Sequence, residues 1–276
     1  MGYAVIMHVN YCEQGQTVEE ICRRAAGWGF DGVEFRSRRD SVDETPEQYM
    51  DQIEAGVEAS GLRQVVFGSP GPALIKPDAA ERAREVETAI AFYRQASQRF
   101  GVRTCNLVTG WLGIGEPVTE DHWKWQVEGC RRLADGLQDV DIRFGFETHR
   151  GYVHDKIEST RRLVEDVDRP SIGANLDYGN MVGQEDRPTL EEAIRAFGTK
   201  LHYVHLKNSA PIRRAQARVS TSLGEGEINN REFVRLLRQT GFTGPICVEA
   251  PRAGDREWFA QQDLAYIRAV LRDLGA

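Results

Sequence analysis

Eight short apolar segments, each followed by a stretch with helical periodicity, predict a closed (β/α)8 barrel spanning residues 1–276 as one domain. Candidate strands begin near residues 3, 31, 62, 103, 142, 171, 201 and 244, and no ninth is found. Short apolar strands alternating with helices imply a parallel sheet covered by crossover helices, and eight such units favour closure over an open sheet. Apolar residues make up 41% of the chain, enough for one large core.

The connecting segments carry start and stop signals in order. Thr17 and Glu20 form a capping box ahead of Ile21, Ala25 and Trp28, with Gly29 as the stop. Thr45 and Pro46 start a second helix that runs through Tyr49, Ile53 and Val57 to Gly61. Ala83, Val86, Ile90 and Tyr93 form a stripe ending at Gly101, and Trp123, Val127 and Leu137 belong to the fourth helix. Residues 155–167, 188–197, 229–239 and 255–274 supply the rest. Three connections are long, and in each the extra residues lie between a strand and its helix, at 68–77, 109–119 and 207–227. Loops in that position form the C-terminal rim of a barrel, where barrel enzymes place their sites. The longest contains Arg213, Arg214 and Arg218 ahead of Gly224 and Gly226, and reads as a candidate lid.

Strand parity identifies the site. Side chains alternate faces along a strand, so in 142–147 the residues Ile142, Phe144 and Phe146 oppose Arg143, Gly145 and Glu147. The same parity puts Asp177, His205 and Glu249 on the inner face at the ends of the sixth, seventh and eighth strands. Taken singly, each has an ordinary explanation as a turn residue, a cap or a satisfied core histidine. Together, three carboxylates converging on one barrel mouth would repel, and a bound divalent cation removes that repulsion. Inward parity also nominates His8, Glu34, Arg36, Asn106, His149 and Lys207 around them, with Arg213 from the long loop as a substrate contact. Glu34 has a plainer reading as a buried ion-pair partner of Arg36 or Lys207. His149, two residues after Glu147, is placed to orient it, whereas Trp111 and His154 are weaker candidates. His122 reads as a helix-surface residue and His202 as outward-facing.

Composition limits the alternatives. A formal charge of −7 argues against a general nucleic-acid binder, which carries a basic surface. No apolar run approaches membrane-spanning length, and the N-terminal segment lacks a basic leader. The five cysteines are odd in number, scattered and never spaced as CxxC, which fits free thiols and a cytoplasmic location. A small-molecule substrate and the option of a homo-oligomer are the remaining expectations for partners.

The strand-end forms Phe146-Glu147-Thr148-His149, Leu176-Asp177-Tyr178-Gly179-Asn180, Val204-His205-Leu206-Lys207-Asn208 and Val248-Glu249 resemble the xylose isomerase-like TIM-barrel superfamily. Gly32-Val33-Glu34 and the 224–228 stretch extend the similarity over essentially the whole chain. The resemblance implies one divalent ion, Mn²⁺ or Mg²⁺ first and Co²⁺, Fe²⁺ or Zn²⁺ as alternatives, held by Glu147, Asp177, His205 and Glu249. It further implies a carbohydrate-derived substrate, with Glu147 and Glu249 as acid and base in an isomerase or epimerase reaction through a metal-stabilised enediolate. A lyase or dehydratase of the inosose dehydratase kind, or one acting on an oxidised glycoside, is the alternative on the same scaffold. An endonuclease four-like nuclease is disfavoured, because that site requires additional histidines where this chain has Asn180, Glu34 and Gly68. Asn180 replaces a histidine of many relatives, Val153 stands where ketose 3-epimerases carry another glutamate, and Asn208 replaces an aspartate.

Overall fold

The computed structural model describes residues 2–37, 43–184, 186–212 and 217–276. Its barrel strands are β1 (Val5–His8), β2 (Gly32–Phe35), β3 (Gln64–Pro70), β4 (Thr104–Val108), β5 (Arg143–Glu147), β6 (Ile172–Asp177), β7 (Leu201–Leu206) and β10 (Ile246–Val248). They pair in parallel in the order β1-β10-β7-β6-β5-β4-β3-β2, and β1 closes the ring by pairing with both β10 and β2. The predicted eight-stranded barrel is therefore the fold of this chain.

Eight α-helices cover the barrel: α1 (Val18–Trp28), α2 (Pro46–Ser60), α3 (Ala79–Phe100), α4 (Glu120–Gly136), α5 (Ile157–Val167), α6 (Leu190–Phe197), α7 (Asn230–Gln239) and α8 (Arg256–Leu274). The expected capping box at Thr17 is present, Thr45 starts α2 with a box of its own, and Gly29, Gly61 and Gly101 end their helices in the left-handed conformation. Thr119 and Thr189 add capping boxes ahead of α4 and α6.

The long loop after β7 carries structure of its own, because Ser209–Pro211 (β8) and Arg218–Ser220 (β9) pair antiparallel across it. Asn208 anchors its base: Oδ1 accepts from the backbone N–H of Ser209 and Ile228, and Nδ2 donates to the carbonyls of Leu223 and Ile228. Arg213 and Arg214 lie outside the described residues.

The core has two parts. A large shell between strands and helices includes Met7, Phe35, Phe67, Phe144, Phe146 and Leu176, while Ile6, Val66, Tyr203 and Cys247, with Ala4 against them, form a small apolar plug inside the barrel. Above this plug the interior turns polar, with buried Glu34, Asn106, Asn175 and Asp177. Gly68 makes that possible at one point, because a Cβ there would run into the carboxylate of Glu34. All five cysteines are free and buried, and no described helix is long and apolar enough to cross a membrane.

Candidate metal centre and active site

Three of the four predicted ligands are strand residues: Glu147 ends β5, Asp177 ends β6 and His205 is the penultimate residue of β7. Glu249 directly follows β10. One ligand atom from each of the four lies within 4.8 Å of the others, on the inner side of the barrel mouth. His205 presents Nδ1 to this group, 2.9 Å from Glu249 Oε2 and 4.0 Å from both Glu147 Oε1 and Asp177 Oδ2. Its Nε2 faces the opposite way, 2.9 Å from Glu34 Oε2. Tyr203 donates to that same Glu34 oxygen at 2.7 Å, and Asn106 Nδ2 donates to Glu34 Oε1 at 3.3 Å.

The two glutamates are held differently. Glu147 accepts from Asn106 Nδ2 at 2.7 Å on one oxygen and from Asn180 Nδ2 at 3.1 Å on the other. Glu249 Oε1 receives a long 3.4 Å contact from Asn10 Nδ2 and lies 4.0 Å from His8 Nε2, and its side chain keeps 18% of its exposure. Asp177 Oδ1 caps the following 3₁₀ turn (Tyr178–Met181) by accepting from the Asn180 N–H. Its Oδ2 is buried and receives no hydrogen bond among the described residues, although Lys207 Nζ makes an ion-pair contact with it at 2.6 Å. Lys207 also lies 3.0 Å from Glu249 Oε2.

Burial of so many charges shapes their protonation. Burial would raise Glu34, yet His205, His8 and the Tyr203 hydroxyl hold its carboxyl down to about 2. Burial, opposed by Lys207 and reinforced by Glu147 and Glu249, raises Asp177. Burial would also raise Glu249, but Lys207, His8 and His205 keep it well below the usual carboxylate range. Burial works against charge on His205 and Lys207, and the surrounding carboxylates overcome it, raising both.

A divalent cation fits this donor set. Three carboxylates and one imidazole nitrogen converge with one ligand atom of each within 4.8 Å of the others, and Asp177 Oδ2, buried among them, is met by the Lys207 ammonium. The carboxylate behind His205 is the arrangement that fixes a ligating imidazole's tautomer and ring orientation.

A cavity of about 310 Å³ opens over the cluster, and His8, Glu34, Arg36, Asn106, Glu147, His149 and Glu249 all line it. Asp177, His205 and Lys207 are not among the residues that line it. Neither plain reading of Glu34 applies: Arg36 pairs with Glu13 through two contacts of 2.8 and 3.1 Å, and Lys207 pairs with Asp177 and Glu249. Arg36 lies beyond the end of β2, so its side chain belongs to the rim. The bond of His149 Nδ1 goes to the Arg150 carbonyl rather than to Glu147. His154 instead approaches the strand end, with Nδ1 2.6 Å from the Glu147 carbonyl and Nε2 accepting from the Thr109 N–H at 3.4 Å. Burial lowers that histidine to about 4. Trp111 is half-exposed at the rim and bridges in antiparallel fashion to Tyr152, whose ring stacks on His154 and also borders the cavity. His122 sits in the first turn of α4 as expected, whereas His202 is buried with Nδ1 3.0 Å from the Phe144 carbonyl.

Tyr203, Asn175, Asn10 and Asn180 act in the site without having been nominated. Tyr203 and Asn175 lie two residues before His205 and Asp177, so the parity that found the ligands also marks them. Asn175 Nδ2 donates to Asn106 Oδ1 at 2.9 Å, which fixes the amide that holds Glu147.

Comparison with known proteins agrees with this architecture. An inosose dehydratase of Geobacillus thermodenitrificans is 25% identical over 172 residues, covering 55% of this chain and 56% of that protein. The chain thus spans about half the length of the curated relatives it matches. A xylose isomerase-like TIM barrel protein from Mycobacterium smegmatis in complex with magnesium superposes with a TM-score of 0.79 at 17% identity, covering 99% of this chain and 98% of the other. D-psicose 3-epimerase with D-tagatose from Clostridium cellulolyticum H10 gives 0.77 at 19% identity, with 98% and 99% covered. At these identities the two structures show a shared fold. A family model described as xylose isomerase-like TIM barrel matches residues 22–270, and the chain belongs to that family.

Proposed function

We infer that this protein is a divalent-metal-dependent isomerase or epimerase acting on a sugar, a sugar derivative or a small keto compound. The observation that carries the reading is the pairing of Glu147 and Glu249 in one cavity within a largely buried set of three carboxylates and one imidazole. Mn²⁺ or Mg²⁺ suits three carboxylates and one imidazole, with Co²⁺, Fe²⁺ or Zn²⁺ admissible. When bound, the ion supplies Lewis-acid polarisation of a carbonyl and so lowers the cost of removing a proton from the adjacent carbon.

The side chains divide the remaining work. Glu249 Oε1, met by Asn10 at 3.4 Å and by His8 at 4.0 Å, is held more loosely than Glu147 and faces the cavity, which makes it the proposed base. Glu147 has both oxygens engaged by carboxamide N–H groups, which hold it in place facing the cavity. His8, Arg36, Asn106 and His149 present donors and acceptors to substrate hydroxyls or an anionic group. Glu34 orients His205 from behind, and Arg213 remains a proposed contact from the rim.

The unequal freedom of the two glutamates also favours a second reading. A dehydratase needs one base to form the enolate that expels a β-hydroxyl, whereas epimerisation by proton removal and return on opposite faces needs two. The inosose dehydratase relatives support that alternative.

Incubation with a panel of ketoses and inososes in deuterated water tests both. Isomerisation or epimerisation through an enediolate places deuterium on the carbon beside the carbonyl, while dehydration gives a product lacking water. Glu249→Gln should lower the exchange rate on the order of 10²–10⁴-fold while metal is retained. Full exchange in that variant would remove Glu249 from the role of base, and isomerisation without label would replace the enediolate route with a hydride shift.

A further inference from the structure

We propose that Lys207 is an internal competitor for the divalent-ion position, and that Gly179 is the notch that lets it reach there. The proposal rests on the metal reading above and adds to it a residue that sets how tightly the ion is held.

Lys207 Nζ touches two of the four ligand groups, at 2.6 Å from Asp177 Oδ2 and 3.0 Å from Glu249 Oε2. A divalent ion bonded to those oxygens would stand at about 2.0–2.6 Å from each. Both cations cannot hold this position together, since they would be pressed into contact in a buried pocket where repulsion is poorly screened. Four carboxylates, those of Glu34, Glu147, Asp177 and Glu249, meet in this region, and the ammonium group relieves their mutual repulsion.

The surroundings are shaped for the lysine. A Cβ on Gly179 would run into Lys207 Cγ and stand 2.6 Å from Cδ. Gly179 is not in the left-handed region, so space rather than backbone conformation requires the glycine. The same short turn supplies a further anchor, Asn180 Oδ1, which accepts from Nζ at 3.4 Å. Asn180 Nδ2 meanwhile holds Glu147, so the 3₁₀ turn ties ligand and lysine together. The Lys207 side chain retains 23% exposure, which leaves it a route of withdrawal toward solvent.

A purely structural ion pair makes a different forecast from a competitor. Removing a structural partner would leave ion affinity unchanged or weaken it, whereas removing a competitor strengthens it. The test uses the full chain stripped of metal, titrated calorimetrically with Mn²⁺ and Mg²⁺, with thermal unfolding of the metal-free protein measured alongside. Lys207→Met should lower the metal-free Tm and tighten Mn²⁺ binding on the order of tenfold. Gly179→Ala, which keeps the lysine but fills its notch, should move both quantities the same way. A Lys207→Met protein that folds only when Mn²⁺ is supplied supports the proposal, as does ion binding by that variant where the wild type binds none. Wild-type binding with equal or weaker binding by Lys207→Met overturns the competitor while leaving the metal site standing. No binding by either protein overturns the metal reading and the competitor together.

Discussion

The two ends of this barrel both carry cavities lined with charged residues, and they differ in how those charges are housed. At the C-terminal mouth a cavity of about 310 Å³ is floored by buried acids, with Glu34 and Asp177 fully enclosed. At the N-terminal end two larger hollows of about 620 and 410 Å³ are lined by Arg63, Arg103 and Arg143 together with Tyr3, His202 and Phe242. There the charges remain near solvent: Arg103 pairs with Asp141 at 3.2 Å with both side chains about three-quarters exposed. Volume alone would favour the wrong end. Enclosed carboxylates gathered around a histidine and a lysine set the C-terminal mouth apart, and it is this end that we propose for the chemistry.

Four changes sharpen or break this contrast, in descending size. The largest belongs to the ligands: His205→Ala and Asp177→Ala should each abolish bound metal, read by elemental analysis of metal-replete protein. Unchanged content in both variants would unseat the four-residue cluster. Next comes Glu34→Gln, which leaves the ligands intact but removes the carboxylate behind His205. Metal affinity or activity should fall on the order of 10–100-fold with the fold retained by circular dichroism.

The third change concerns protons at the N-terminal end. Burial lowers His202 to about 4 from its ordinary 6.5. The unfolded chain therefore takes up a proton at that residue before the folded one does, so stability is complete above pH 6.5 and is lost as pH falls toward 4. That contribution is about 3 kcal/mol over the window. His202→Gln should lose correspondingly less stability than wild type between pH 7 and pH 4.5 in urea unfolding, and an equal loss would mean that His202 is already protonated in the fold. The smallest effect is expected for Arg103→Ala, at most about 0.5 kcal/mol and without change in turnover. A large loss of turnover there would erase the distinction between the two ends.

Strand parity made the barrel and the convergence of Glu147, Asp177, His205 and Glu249 legible in the sequence, because alternation fixes which side chains face inward once a strand is located. The same alternation marked Glu34 and Asn106. Their partners were not legible, since Tyr203 and His205 reach Glu34 across the barrel rather than along a strand. Long side chains were the least predictable. Arg36 reaches Glu13 and Lys207 reaches Asp177, and the path of Lys207 depends on the missing Cβ of Gly179. The β8–β9 pairing escaped notice because each strand is only three residues long and largely outside the core, so neither shows an apolar alternation.

The division of the site between the two halves of the chain bears on how it is assembled. All four proposed ligands come from the second half, on or just after the neighbouring strands β5, β6, β7 and β10, and His205 and Glu249 are only 44 residues apart. Glu34, which orients the imidazole, is 171 residues from His205 and arrives with the first half of the chain. Pairings of long sequence separation are entropically late in folding. Ligand convergence therefore belongs to the C-terminal half-barrel, and the fixed orientation of His205 belongs to ring closure.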